Sequence, residues 1–322
     1  MALEVYLPQG RPEFLGLLRA AVEPRVRLHV GKRPDPPSYE VLVAGRPEAG
    51  DVSAASGLRA VVIPWAGVPS ETLKLMRDFP GITLHNLHHN AAPTAELAVA
   101  LLLAAAKCIV PLDGALRKHD WRPRYEKPRS VLLCGKTVLV LGYGAIGKRV
   151  AAVCRALGMQ VAGVRRGGAE PGTPDEVHAP TALHELLPRA HAVVVCLPLT
   201  AETEAMLGAR ELALLPEGAL LVNVGRAAIV DEDALYDALA SGRLGAAGLD
   251  VWYEYPANEE ARAQTPPSRR PFGELDNVVL SPHRGGLCKQ TEALRAAALA
   301  ELLLAAAQGR ALPGAVDLEA GY

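Results

Sequence analysis

The sequence predicts a two-domain α/β protein in which each domain is a parallel sheet flanked by helices, the larger one doubly wound. Three observations carry this. The 322 residues exceed the roughly 250–300 at which a single core stops growing. Short β-type runs alternate with helix-period patterns along most of the chain. Half the residues are hydrophobic yet only 4% are aromatic, so Ala, Leu and Val fill the layers, as suits buried parallel sheets.

In order, the runs Glu4–Leu7, Val26–Val30, Val41–Ala44, Ala60–Ile63 and Ile82–Leu84 predict strands, with helical patterns at Pro12–Val22 and Glu71–Asp78 between them. They form a small parallel-sheet domain. Pro93 and Thr94 open an Ala/Leu helix that runs to about Ile109. Its apolar stretch Leu97–Ala106 falls short of the ~20 residues of a membrane span and predicts a buried helix, with no membrane partner. Pro111 and the Arg/Pro-rich segment Trp121–Arg129 read as a crossing loop. Further strands are predicted at Thr137–Leu141, Gln160–Val164, Ala192–Cys196, Ala219–Val224, Ala246–Val251 and Asn277–Leu280, most of them separated by helical patterns. Glu254–Arg270 reads as an exposed insertion. The last helix, Lys289–Gln308, follows a completed sheet and can return to the first domain. The expected boundaries are therefore 1–88 with 288–322, and 89–287, with a cleft between the two.

A formal charge of -1 lacks the basic excess that phosphate-backbone binding brings, so nucleic acid is not an expected partner. Cys108, Cys134, Cys154, Cys196 and Cys288 are isolated within apolar segments, without C-x-x-C spacing, and predict reduced core thiols. The N-terminal run Met1–Pro8 resembles a first strand rather than a signal peptide. Both features point to a cytoplasmic protein. No third ligand joins His88 and His89, so no metal is expected; the two read as an exposed loop pair or as pocket-wall residues.

Val138–Leu141 leads into Gly142-Tyr143-Gly144-Ala145-Ile146-Gly147, a G-x-G-x-x-G between an apolar strand and an amphipathic helix. Gly142 permits the tight turn, Gly144 lets a pyrophosphate approach, and Gly147 allows close helix–strand packing, while the amides of Ala145 and Ile146 face the phosphates. The segment 89–287 thus reads as dinucleotide-binding. At the end of the next strand, where NAD sites carry Asp or Glu, stand Arg165 and Arg166. Two guanidinium groups suit a 2′-phosphate, which favours NADP, with NAD the alternative and a solvated arginine pair the bland reading.

Three more segments put polar residues at strand ends: Asn223-Val224-Gly225-Arg226, Leu249-Asp250-Val251, and Ser281-Pro282-His283-Arg284-Gly285-Gly286. Carboxyl ends of strands line the ligand crevice in open α/β sheets. Together with the glycine run, Leu197-Pro198-Leu199-Thr200 with Thr203, Val230-Asp231-Glu232, Asp250-Val251-Trp252 and Pro282-His283, most of the chain resembles the D-isomer-specific 2-hydroxyacid dehydrogenase family. That family includes glyoxylate/hydroxypyruvate reductases, phosphoglycerate dehydrogenases and formate dehydrogenases.

The resemblance implies a Rossmann domain plus a smaller flavodoxin-like α/β domain that binds substrate. It implies an NAD(P)-dependent oxidoreductase acting on the CH–OH group of a small 2-hydroxy acid, or on its 2-keto acid such as glyoxylate or hydroxypyruvate, as a homodimer formed through the Thr94 helix region. By the same resemblance Arg226 grips the substrate carboxylate and keto oxygen, and His283 donates a proton to the forming alkoxide. A bidentate guanidinium and an imidazole that titrates near neutrality suit those tasks; a strand-end ion pair and a capped turn are the plain alternatives. Leu197, Pro198, Thr203, Val224, Gly225, Asp250 and Gly285 line the cofactor crevice, with Thr94 facing the nicotinamide. Ala66 and Gly67, in Pro64–Val68, supply backbone amides to the substrate carboxylate. Asn90 resembles the formate-binding asparagine of formate dehydrogenases, although it could equally cap the following helix. Two other readings stay open: oxidation of a very small anion such as formate or phosphite, and a non-catalytic nucleotide-sensing corepressor. One departure stands out. The family's catalytic glutamate directly precedes a proline, whereas this chain reads Tyr253-Glu254-Tyr255-Pro256. Glu254, one residue early, is expected to reach His283 through an irregular turn, with a solvated loop glutamate as the alternative.

Overall fold

The computed structural model describes residues 2–322 and divides into two compact units, Met1–Ala91 with Leu287–Tyr322, and Ala92–Gly286. The first begins with β1 (Leu3–Leu7), α1 (Pro12–Val22), β2 (Val26–Val30), β3 (Val41–Val43), α2 (Ala49–Ala54), β4 (Ala60–Ile63), α3 (Ser70–Arg77) and β5 (Thr83–Asn86). Its strands are parallel, in the order β2-β1-β3-β4-β5. The all-apolar β4 is buried along its whole length, as a strand covered on both faces has to be. α1 starts on Pro12, where a missing amide costs nothing, and buries Phe14, Leu18 and Val22 at four-residue spacing. The short α2 escapes prediction because Val52 is its only buried residue, too little to make a pattern.

The second unit is entered along α4 (Ala91–Ala106) and α5 (Ile109–Leu116). The single helix expected to reach Ile109 breaks at Cys108, whose left-handed backbone (φ 52°) ends one helix and redirects the next. Then come β6 (Thr137–Leu141), α6 (Ala145–Ala156), β7 (Gln160–Val164), β8 (Glu176–His178), α7 (Leu183–Leu186), β9 (Ala192–Val195), α8 (Ala209–Leu214), β10 (Ala219–Asn223), α9 (Glu232–Ala240), β11 (Leu244–Leu249) and β12 (Val278–Leu280). The sheet order is β12-β11-β10-β9-β6-β7-β8, all parallel. The edge strand β8 was not anticipated, since Glu-Val-His offers no apolar run. Finally α10 (Thr291–Ala307) rejoins the first unit, packs on α1 and adds Leu299, Leu302 and Leu303 to the core around Val5 and Leu18.

Register positions the functional edge. Leu141 pairs with Val164 and Val195, Val195 with Asn223, Asn223 with Leu249, and Leu249 with Leu280. Six strands therefore finish in one row, and strand order reverses between β6 and β9, the switch point where such sheets bind ligands. The expectation of five core cysteines needs correction. Cys154 is buried, Cys108 and Cys196 are half-buried, and Cys134 and Cys288 are exposed, because apolar neighbours in sequence do not fix which face a residue shows. No single helix among the described residues is long and apolar enough to cross a membrane.

Candidate active site

The glycine run turns sharply off β6. Gly142 has φ +95°, and a Cβ there would lie 2.8 Å from the Cys196 backbone; one on Gly147 would lie 2.1 Å from the Gly142 carbonyl oxygen. Neither position admits a side chain. Beside Gly144 the reverse holds, with open space where a Cβ would point. Ala145 and Ile146 form the first turn of α6, whose N-cap Gly144 supplies no side-chain cap, so their amides are left for an anion. Tyr143, which stands between the first two glycines and is expected to contact cofactor, is fixed by contacts within the protein. Its amide donates to Val164 O at 3.0 Å, its buried ring lies against Gly163, and its hydroxyl donates to Asp175, which also pairs with Arg155. It is a strut between strand and loop.

Past β7, Arg165 is ion-paired to Glu170 at 2.5 Å, and Glu170 also pairs with Lys148 of α6. The hydrogen bond from Lys148 holds the Glu170 carboxyl below its usual range. Arg166 is exposed. Arg165 thus sits beside an acidic residue that the sequence did not single out.

Beyond β9, Thr203 is buried and ties its own loop. Its hydroxyl donates to Pro198 O at 2.7 Å and accepts from Thr200 N at 2.8 Å. Leu197, half-buried, lies against Gly225. At the end of β10 the buried Asn223 shapes the next turn by accepting from Gly225 N and donating to Arg226 O, both at 3.0 Å. Val224 and Gly225 stay buried while the Arg226 side chain is exposed, its Nη1 donating to Gly225 O at 2.7 Å. A guanidinium anchored by one nitrogen keeps its remaining donors for a ligand.

Asp250, only 2% exposed, is committed to the histidine loop. Oδ1 accepts from Ser281 Oγ at 2.5 Å and Arg284 N at 2.7 Å, and Oδ2 accepts from Gly285 N at 2.8 Å. Sequence reasoning placed Asp250 against cofactor; the structure adds that it holds the loop bearing His283. Gly285 is buried there, against Thr94 in the first turn of α4. His283 has φ 56°, a left-handed conformation that costs about 1–3 kcal/mol outside glycine and persists where surrounding bonds enforce it.

His283 Nδ1 lies 2.8 Å from Tyr255 Oη. The expected partner, Glu254, is therefore replaced by its neighbour, and the reason is local. Tyr253 and Glu254 both anchor their amides on Pro267 O, and Tyr253 turns inward to stack on Phe272 and donate to Val230 O at 2.8 Å. Side chains alternate from there, leaving Glu254 exposed and Tyr255 turned back to the histidine. The buried Glu232 secures the far end of this insertion by accepting from Ser268 Oγ at 2.6 Å and Arg269 N at 2.8 Å. Burial, and then the Arg226 charge, push the His283 imidazole below its ordinary value, with Asp250 opposing them.

In the first unit, Asn86 at the end of β5 donates from Nδ2 to Ala66 O at 2.6 Å, pinning the Ala66–Gly67 loop that follows β4. Asn90 immediately precedes α4. His88 is exposed, as expected of a loop pair, but His89 is half-buried, and burial, Arg295 and His88 lower its imidazole to about 4. Asn86, Asn223 and Tyr255 were missed or unassigned. Asn223 left a signal as a polar residue at a strand end, and Tyr255 as the residue standing where the family carries glutamate.

The model of the D-isomer specific 2-hydroxyacid dehydrogenase NAD binding domain matches residues 99–285. The chain belongs to this family. It is 38% identical over 232 residues to a glyoxylate reductase of Aeropyrum pernix, covering 70% of this chain and 66% of that one. It is 31% identical to a hydroxypyruvate reductase of Thermotoga maritima, covering 77% and 78%. The match thus spans just under two thirds of the Aeropyrum protein's length. Among solved structures, the D-isomer specific 2-hydroxyacid dehydrogenase of Xanthobacter autotrophicus Py2, in complex with NADPH and MES, superposes with a TM-score of 0.79 at 26% identity over 99% of this chain and 100% of that one.

Proposed function

We propose that this chain is an NAD(P)-dependent 2-hydroxyacid dehydrogenase that reduces a small 2-keto acid such as glyoxylate or hydroxypyruvate, and catalyses the reverse oxidation. One observation carries it: along a single sheet edge, Arg226 and His283 follow the same row of strand ends as the glycine turn. The bound nicotinamide supplies or accepts hydride; the residues do the rest. Arg226 orients the substrate carboxylate and polarises its carbonyl, and His283 Nε2 exchanges the proton with the oxygen being reduced. Gly144, Ala145 and Ile146 hold the pyrophosphate, with Gly142 and Gly147 shaping the turn. Leu197, Pro198, Thr203, Val224, Gly225, Asp250 and Gly285 wall the crevice, and Thr94 faces the nicotinamide. Amides of Ala66 and Gly67 take the substrate carboxylate, and Asn90 lines the substrate side. The smaller unit serves as the substrate domain.

NADP is the favoured cofactor, on the strength of Arg165 and Arg166, and the Xanthobacter relative holds NADPH. The chain works as a cytoplasmic homodimer. Support comes from the apolar side chains exposed in one stretch of the larger unit, Ile109, Val110, Leu112, Leu116, Trp121 and Tyr125, a patch of the kind that a second copy covers.

The test is steady-state turnover on a panel of 2-keto acids with NADH and NADPH, for the parent chain and Arg226→Ala. The expected result is reduction of glyoxylate or hydroxypyruvate, with kcat/KM lowered at least a hundredfold in the variant, about 2.7 kcal/mol of barrier. Near-normal turnover by a folded Arg226→Ala protein overturns the assignment. Oxidation of formate or phosphite alone restores the small-anion reading, and cofactor binding without turnover restores the corepressor one.

A further inference from the structure

The partner of His283 has different chemistry from the carboxylate that the family resemblance leads one to expect. A carboxylate accepts a hydrogen bond from Nδ1–H and adds a negative charge that favours imidazolium. A phenol both donates and accepts, and brings no charge. Here Trp252 N donates to Tyr255 Oη at 3.2 Å, which occupies one lone pair. One O–H and one lone pair remain, and His283 Nδ1 lies 2.8 Å away. Neutral imidazole can accept from that O–H, and either an Nδ1–H tautomer or imidazolium can donate to the remaining lone pair. Tyr255 thus steadies the ring in every protonation state and favours none by charge.

The charged groups acting on His283 do not replace the missing countercharge. Arg226 opposes a second positive charge, and Asp250, the one anion among the described residues that acts on the ring, has both oxygens engaged by Ser281, Arg284 and Gly285. We propose that Tyr255 is the positioning residue of His283 and that, by standing in for a carboxylate, it leaves the imidazole uncharged at neutral pH. The site then acts at full strength as a base in hydroxy-acid oxidation at neutral pH, and as an acid in keto-acid reduction only at lower pH.

This rests on the dehydrogenase reading. In the oxidation, the C2–H bond breaks and hydride passes to the oxidised nicotinamide. The hydroxyl O–H breaks, its proton goes to Nε2 of neutral His283, and C2=O forms while Nδ1–H donates to Tyr255 Oη. Reduction runs the same steps backwards and consumes the proton from imidazolium. Burial and Arg226 act in the same direction, lowering the imidazole from its ordinary 6.5. The protonated fraction therefore falls as pH rises through that lowered value. Reduction kcat/KM then drops tenfold per pH unit, while oxidation climbs to a plateau.

The experiment pairs 15N NMR titration of histidine in the substrate-free full chain, with His283→Gln assigning the signal, with kcat/KM profiles in both directions for the parent, Tyr255→Glu and Tyr255→Phe. In the parent, His283 is expected to titrate below 6.5 and the alkaline limb of reduction to follow it. Tyr255→Glu moves both upward by about one unit or more, a tenfold gain in the imidazolium-to-imidazole ratio at a given pH. Tyr255→Phe keeps the limb near its parent position but lowers kcat about tenfold with KM little changed, because the ring loses its hold; a role in packing alone would move neither limb. A parent titration at or above 6.5, or a folded Tyr255→Glu protein whose titration matches the parent's, overturns the proposal. Should Tyr255→Glu not fold, the parent titration and the kcat-against-KM split in Tyr255→Phe decide it. If no keto acid is turned over, the NMR titrations still decide the His283–Tyr255 pairing, and only the functional reading falls.

Discussion

Asp250→Asn tests whether the histidine loop is held as described. The substitution keeps the shape and one acceptor oxygen, which can serve Ser281 Oγ and Arg284 N. It turns the atom facing Gly285 N, 2.8 Å away, into a donor. A buried amide then loses a bond to a charged acceptor, a loss of about 1.5–3 kcal/mol. At about 1.4 kcal/mol per factor of ten, exchange of the Gly285 amide should speed up roughly ten- to a hundredfold. Hydrogen–deuterium exchange on a peptide covering 281–287 reads this directly. Asp250 is also the charge that raises the His283 imidazole, so its neutralisation should carry the alkaline limb of keto-acid reduction to still lower pH. Displacement of the ring should lower kcat/KM at least tenfold. Parent-like exchange across 281–287 together with a parent-like pH profile would refute the idea that Asp250 fixes the loop.

Two other predictions concern the surface. Glu170 occupies Arg165 and Lys148, so Glu170→Gln should lower the KM for NADPH several-fold while leaving that for NADH nearly unchanged, and Arg165→Asp should do the reverse; equal KM values for both cofactors in all three proteins would place these charges outside the cofactor site. The double variant Trp121→Ser, Tyr125→Ser removes two exposed aromatics of the kind that anchor interfaces, so sedimentation equilibrium should show its mass fall from dimer to monomer, and a monomeric parent would end the dimer reading.

The parts legible in the sequence were those in which one residue type had one physical use. The runs that became β2, β4, β6 and β7 matched their strands residue for residue: β4 and the apolar cores of β6 and β7 because a strand buried on both faces must be apolar, and the edge strand β2 because Val26, Leu28 and Val30 alternate with Arg27 and His29. Gly142 and Gly147 announced a turn that leaves no room for a Cβ. What escaped depended on direction in space. Glu254 and Tyr255 are adjacent, and the choice between them was made by Tyr253 stacking on Phe272 and by Pro267 taking two amides, contacts across an insertion that no local pattern encodes. Asn223 and Asp250 stood out in the sequence as polar residues at strand ends, but only the fold shows that their polar atoms shape the turns that present Arg226 and His283. The break at Cys108 lies in a run of helix-favouring residues, where propensity alone argues for continuation.

The two-segment construction of the smaller unit has a consequence for how the chain is made. Its strands leave the ribosome before the larger unit does, but α10, which covers Val5, Leu18 and their neighbours, is made only after it. Between the two lies all of Ala92–Gly286, which at about 5–20 residues per second takes roughly ten to forty seconds to synthesise. For that interval the nascent chain carries an apolar sheet face without its closing helix, while the unit synthesised later has every strand it needs to fold. The order of completion is thus the reverse of the order of synthesis, and the amino-terminal strands are the stretch most in need of a chaperone.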